Sequence, residues 1–330
     1  MLIELIHKLI GLYVHLRYWY VPYDLRYFYR DTYYCKFAQI KYIIKDYWTK
    51  KPYKEIHFNG EFAPEIMYVL PFAYWHYKNG TLKSTKASKF TKELYFFSPD
   101  HEEAFDVRTT EGNYNFETPR ILYSHDYDIS KWERVPLKET YANDIYVYDK
   151  PILIIANRYN MEWDGPPVSF LSIEMLDFII SNLKKDYTII YNRPNPKNIT
   201  MDNSDIYDLH EFEWLSIEHP EVLLMENLYK ENKANARNFN HLQLMIYANC
   251  NHFISTHGGT ASLASFFGGI NIILSVKGGE HHFNCFNTIF PKLSGAKILH
   301  AKNDGELKVF VAQHLFKAVE AIPDGEEVPG

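Results

Sequence analysis

The chain has 330 residues, 46% of them apolar, which excludes a disordered protein and is length enough for two domains with full cores. Aromatics reach 17%, so amphipathic ring surfaces are expected as well as core. A net charge of −6 argues against general nucleic-acid binding, and three widely spaced cysteines (Cys35, Cys250, Cys285) are an odd count that fits a reducing, cytoplasmic compartment.

Residues 1–54 hold ten Lys and Arg against four Asp and Glu, a local +6 that leaves −12 for the rest of the chain. Leu2, Ile6, Leu9, Ile10, Tyr13 and Leu16 recur at helical spacing, and Tyr, Trp and basic residues interleave from Arg17 to Lys54. Glu4, His7, Lys8, His15 and Arg17 make Met1–Tyr20 too charged for a spanning helix, and no secretory signal is read there. Two readings of this aromatic and basic segment stand side by side. One is an amphipathic helix packed on the domain with its basic side in water, the commoner case and the expectation here. The other is a peripheral contact with the cytosolic face of a membrane, using basic residues for anionic lipid and Tyr18, Trp19 and Tyr20 for the interface.

Glu55–Phe58 reads as a strand, 59–63 as a turn, and Pro64 as the start of a helix carrying Ile66, Val69, Leu70, Phe72 and Ala73, ended by Asn79-Gly80. Glu93–Phe97 reads as another strand, and 98–123 as polar loop. A domain boundary is expected at Asp149-Lys150-Pro151.

A β/α alternation follows. Strands are expected at Ile152–Ala156, Tyr187–Tyr191, Val222–Met225, His252–Ser255, Ile270–Leu274 and Ile298-Leu299. Helices are expected after a Ser172 cap (Ile173, Leu176, Ile179, Ile180 and Leu183 on one face), at Leu242–Ala248, at Ala261–Phe267 and from Gly305 to Ala318. Gly268-Gly269 can end the third of these by adopting positive φ. The loop with Trp163-Asp164-Gly165 lies after the first strand, and the acidic tail from Asp324 to Gly330 is expected to be mobile. Alternating strands and helices imply a parallel, doubly wound sheet.

The stretch HFISTHGGTASLASFFGGINIILS (252–275) carries the most chemistry. A turn of small residues opening a helix exposes unpaired backbone N–H groups at the positive end of a dipole, which suits phosphate. No Gly-Lys-Ser/Thr follows and no GxGxxG is present, so it is neither a P-loop nor a dinucleotide fingerprint. It resembles the donor-diphosphate loop of GT-B glycosyltransferases, the heptosyltransferase type most closely. Gly259–Leu274 matches that spacing without a gap, and Thr256-His257-Gly258-Gly259 resembles the His-Gly-Gly start of nucleotide-sugar glycosyltransferases. Ser265 stands where many of those enzymes carry an acid, and Ile270 or Asn271 where they carry Pro, which leaves donor sugar and base open.

The resemblance implies two facing Rossmann-like domains, 1–149 on the acceptor side and 150–330 binding the nucleotide sugar. Ser255, Thr256, Gly258, Gly259, Thr260 and Ser262 would form the diphosphate loop. His257 would donate to a phosphate or sugar hydroxyl. Arg158 and Arg193, each just after a strand, would neutralise the leaving diphosphate with paired guanidinium N–H groups. Glu226 would hold ribose hydroxyls. Gly60-Glu61 resembles the Gly-Asp turn of heptosyltransferase-like enzymes, which makes Glu61 the candidate general base for an inverting transfer to a glycan or lipid-linked acceptor. His76 and Asp100 are backups. No cofactor beyond the donor, and no metal, is expected.

Two further readings remain. The chain could be a non-catalytic nucleotide-sugar or glycan-binding module held at a membrane. It could also be a metal-dependent GT-A transferase using Asp126 and Asp128, which have the DxD form. His281-His282 with Cys285 has metal-ligand residue types, but no second ligand pair is evident.

Overall fold

A computed structural model describes residues 2–118, 129–161, 165–193 and 206–316. Asp126-Tyr127-Asp128, Trp163-Asp164, Ala318 and the acidic tail lie outside the described residues.

The first half opens with a helical hairpin, α1 (Leu2–Arg17) and α2 (Arg26–Ile40). Helix α1 packs on the domain as expected, but through one face only. Ile6, Ile10 and Val14 face inward, but Leu2, Leu5, Leu9, Leu12 and Leu16 are all exposed. The helix has two apolar faces, and the fold covers only one.

A three-stranded parallel sheet follows, ordered β1 (Lys54–His57), β2 (Leu82–Ser88), β3 (His101–Phe105). Between β1 and β2 the chain runs through α3 (Phe62–Pro64), a wide helical turn at Glu65–Val69 and α4 (Leu70–Lys78). The wide turn has a local cause. Pro71 has no N–H to give the carbonyl four residues back. That carbonyl, on Met67, accepts from the indole Nε1 of Trp132 instead (3.0 Å).

The expected strand at Glu93–Phe97 is a run of turns. Leu94 N and Tyr95 N both donate to Thr91 O, so the backbone is satisfied locally while Leu94, Tyr95 and Phe97 are buried. The sheet positions go instead to LKSTKAS, for which no element was expected, and HEEAF, which lies in the stretch read as polar loop.

After α5 (Leu137–Tyr141) the second half builds a six-stranded, wholly parallel sheet. Its elements are β4 (Ile152–Ala156), α6 (Ile173–Leu183), β5 (Thr188–Asn192), α7 (Glu211–Glu218), β6 (Leu223–Leu224), α8 (Met225–Glu231), α9 (Phe239–Ala248) and β7 (His252–Thr256). They continue with α10 (Gly259–Ala264), β8 (Ile270–Leu274), α11 (Gly279–His282), α12 (Cys285–Thr288), α13 (Phe290–Ser294), β9 (Lys297–Ala301) and α14 (Asp304–His314).

Strand order is β6-β5-β4-β7-β8-β9. The sheet therefore winds outward both ways from the β4–β7 pair, the doubly wound order of Rossmann-like sheets. Ser172 caps α6 by accepting from Met175 N, and Gly268 and Gly269 take φ of 72° and 65° after α10, as their sequence implied. The three-stranded sheet differs from expectation: among the described residues it winds in one direction only.

Alternation along β4 assigns the layers. Leu153 and Ile155 join a core with α6, α7 and α14, whereas Ile152, Ile154 and Ala156 join a core with α9, α10, α12 and α13. The second core runs on without a break into Phe58, Tyr68, Phe72 and Tyr95 of the first half. The strands on either side of 149/150 belong to different sheets, but the apolar core does not divide there. All three cysteines are free and buried. Among the described residues no helix is long and apolar enough to cross a membrane.

Candidate functional site

In a doubly wound sheet, neighbouring strands whose connections leave in opposite directions open a crevice beyond their carboxyl ends. Here those strands are β4 and β7. The chain leaves β4 through Asn157 and Arg158, and β7 through His257, Gly258 and Gly259. Buried Asn157 anchors the first exit: its Oδ1 accepts from Arg158 N and Leu171 N (2.9 Å each), and its Nδ2 donates to Leu171 O (3.0 Å) and Tyr191 OH (3.1 Å). Arg158 then reaches across, and its Nη1 donates to His257 O at 3.1 Å.

The glycines permit this approach. Gly258 has φ 86° and ψ −144°, a conformation essentially confined to glycine, and a Cβ there would overlap the Arg158 guanidinium. A Cβ on Gly259 would lie 2.9 Å from Phe62 Cδ1 of the first half. Both glycines therefore have a packing reason independent of any ligand.

Among the described residues, the backbone N–H groups of Gly259, Thr260 and Ala261 donate to no protein acceptor; the first backbone bond closing α10 is Ser262 N to Gly258 O (3.0 Å). Gly258, Gly259 and Thr260 are half-buried. The loop hydroxyls behave differently from its amides. Ser255 donates to Asn271 Oδ1 (2.8 Å), Thr256 to Ala156 O (3.5 Å), and Ser262 to Gly258 O (3.0 Å) and Met67 Sδ (2.9 Å); all three are buried. They hold the loop's shape, as does the Thr260 hydroxyl, which donates to Thr256 O (2.6 Å), so of the sequence-predicted loop residues the half-buried Gly258, Gly259 and Thr260 offer backbone and not hydroxyls at the turn.

His257 turns its ring inward. Its Nδ1 shares a hydrogen bond with Ser275 Oγ (2.7 Å), Ser275 Oγ also meets His281 Nε2 (2.8 Å), and buried Glu280 lies 3.8 Å from His257 Nε2. The His281 ring packs 4.3 Å from that of His300, whose Nε2 meets Ser275 O at 2.9 Å. Burial lowers His281 to about 4, with repulsion from His300 and His257 adding to it. This chain of polar groups backs the turn from behind. Ser275 and Glu280 were missed in sequence, although Ser275 directly follows β8, where a search of strand ends finds it.

Glu61 stands at the N-terminal boundary of α3, beside Phe62 and so next to the glycine turn. Two close backbone approaches hold it. A Cβ on Gly60 would overlap Asn113, and one on Gly112 would lie 2.5 Å from Gly60 N and Asn59 Oδ1, so segments 58–61 and 109–113 touch only because both are glycine. Asn113 then clamps Glu61, accepting from its N–H (3.0 Å) and donating to its Oε2 (3.1 Å). Beneath, Glu65 is fully buried against Arg108 (2.6 Å) and Tyr95 OH (3.0 Å), and Arg108 also donates to Gly60 O (3.0 Å). Neither Asn113 nor this buried triad was legible in sequence, since Glu65 and Tyr95 are 30 positions apart and Glu61 and Asn113 are 52 apart, and such residues meet only in the fold.

The remaining candidates lie elsewhere. Arg193 is engaged by buried Glu211 and donates to Tyr207 O (3.0 Å), so its charge is spent within its own domain. Glu226 sits on α8 beyond the edge strand β6, 3.6 Å from Lys230 and two strands from the crevice. His76 is wholly buried with Nδ1 on Thr81 Oγ1 (2.7 Å), and burial lowers it to about 2. Asp100 is exposed on the approach to β3. No group of three or more His, Cys, Asp or Glu among the described residues is arranged to hold a metal.

The fold and crevice define an α/β protein with a doubly wound parallel sheet and one loop pair at its switch point. Compared with known proteins, the chain matches no family model, no curated protein and no solved structure.

Proposed function

We propose that the β4–β7 crevice binds a nucleoside diphosphate and that the protein is a GT-B-type glycosyltransferase, moving a sugar from a nucleotide diphosphate to a hydroxyl of a glycan or lipid-linked acceptor. One juxtaposition supports this reading most: Arg158 and the open amides of Gly259, Thr260 and Ala261 at the switch point, with Glu61 beside them. In the reaction Glu61 accepts the acceptor hydroxyl proton. The oxygen bonds to the anomeric carbon as the bond from that carbon to the diphosphate oxygen breaks, its electron pair leaving with the phosphate. Arg158 and the loop amides take up the charge that develops there. Asn113 keeps the Glu61 carboxylate aimed, and the His257–Ser275–Glu280 group keeps the turn in shape. Arg193 and Glu226 have no part in this reading.

A melting-temperature panel of UDP, GDP, ADP, CMP and dTDP, free and sugar-linked, tests it, because ligands that bind only the folded state raise the midpoint. At least one diphosphate should do so; none doing so removes the reading. Glu61→Gln then separates enzyme from binding module. Turnover should fall by about 10²–10⁴-fold with nucleotide binding retained. Unchanged turnover would acquit Glu61 as the base.

A further inference from the structure

The outer face of α1 is unaccounted for by the fold. Leu2, Leu5, Leu9, Leu12 and Leu16 follow each other at alternating three- and four-residue spacing, which lines them up as one stripe. Each is 53–70% exposed. The opposite face is committed: Val14 is buried and the His7 ring stacks 3.9 Å from Tyr34. The stripe ends at a turn whose Trp19, Tyr20 and Tyr23 are 60–79% exposed. That turn is held, because Arg26 donates to Trp19 O (2.6 Å) and Val21 O (2.9 Å).

We infer that this face docks the protein on an anionic lipid bilayer, with α1 lying in the plane of the interface. Sixteen residues span about 24 Å, short of a hydrocarbon core of about 30 Å, and the inner face is already packed, so the helix lies on the membrane and does not cross it. Leucines enter the acyl boundary while Trp19, Tyr20 and Tyr23 sit at headgroup level, where amphipathic rings are favoured. Lys8 and Arg17 are exposed on the same helix, and residues 1–54 carry +6 against −12 elsewhere. That balance selects the partner. Leucines at this spacing also suit a coiled-coil seam between two copies. Self-pairing, however, would be held over little more than two heptads and would bring two net-positive segments together, whereas anionic lipid complements the exposed Lys8 and Arg17.

Flotation of the full chain with phosphatidylcholine vesicles, with and without phosphatidylglycerol, at low and high salt, tests the inference. It should float with the anionic vesicles at low salt, and high salt should weaken binding severalfold. Leu5→Glu, Leu9→Glu and Leu12→Glu together should abolish flotation with an unchanged circular dichroism spectrum, since all three side chains are in water. Lys8→Ala with Arg17→Ala should weaken binding on the order of tenfold. Absence of flotation at low salt overturns the inference. So does flotation of the triple-Glu variant at the level of the parent. A parent that sediments as a dimer, split by the triple substitution, would assign the stripe to self-pairing instead.

Discussion

The two halves of the molecule both bury charged residues, but they place them differently relative to their sheets. In the second half, β4 buries all five of its residues, Ile152–Ala156, and the buried acids Glu211 and Glu280 lie beyond the strand ends, on α7 and α11, facing Arg193 and His257. In the first half, charges lie inside the body: Glu65 with Arg108, and Asp46 with Lys131 and Tyr53. Lys54 on β1 is buried enough to be lowered to about 8. Leucines meanwhile face water on α1. A six-stranded sheet with helices on both faces buries enough apolar area to be held by it. Three short strands with sequences such as LKSTKAS carry more polar side chains, and the charges buried near them need specific partners. One half tolerates gradual change; the other depends on particular partners.

Arg108→Met should break the contrast open most. It leaves the Glu65 carboxylate buried without its cation and should cost about 3–5 kcal/mol in urea unfolding, while adding Glu65→Leu should recover much of it. Ile154→Val in the larger sheet should cost only about 0.5–1.5 kcal/mol. Equal costs for Arg108→Met and Ile154→Val would erase the distinction.

Arg158→Ala carries the next largest effect, on ligand and not on fold. Losing a charge-assisted hydrogen bond of about 1.5–3 kcal/mol should weaken nucleoside diphosphate binding about 10- to 100-fold by calorimetry. Arg193→Ala, whose cation already has Glu211, should leave that affinity where it was. A loss of affinity in Arg193→Ala but not in Arg158→Ala would move the site away from the switch point.

Acid should come third. Burial lowers His281 to about 4 and also lowers His300 and His101, so these rings are held neutral in the fold. Between the ordinary histidine value of about 6.5 and pH 4 the unfolded chain binds more protons than the folded one, and stability must fall as pH falls through that window. Thermal midpoints across it should decline steadily; a flat profile would mean these rings are not held neutral. The smallest effect is expected at Leu9→Glu, within about 0.5 kcal/mol of the parent, because the side chain already sits in water. A larger loss would show that the stripe is covered within the fold.

Much of the second half was readable in advance because periodicity, caps and glycine placement agreed there. Ser172, Gly268 and Gly269 each do the local task their type suggests. The first half resisted for the converse reason. Leu94, Tyr95 and Phe97 look like a strand but are buried in turns, and the true strands β2 and β3 are polar. Of the candidate site, the glycine turn, Arg158 and Glu61 converge, while Arg193 and Glu226 do not. A position after a strand says that a side chain lies at the right end of the sheet; it does not say which neighbour has already claimed it.

Local pattern by itself determined the parallel β/α alternation, the glycine turn between β7 and α10 and the existence of α1, because backbone conformation and apolar spacing are properties of adjacent residues. Only the tertiary structure decided that β4 and β7 form the switch point, that Asn113 holds Glu61, that Ser255, Thr256 and Ser262 turn inward, and that the leucines of α1 stay in water. Each of those facts depends on which distant segment packs against which, and burial is a property of the assembled chain.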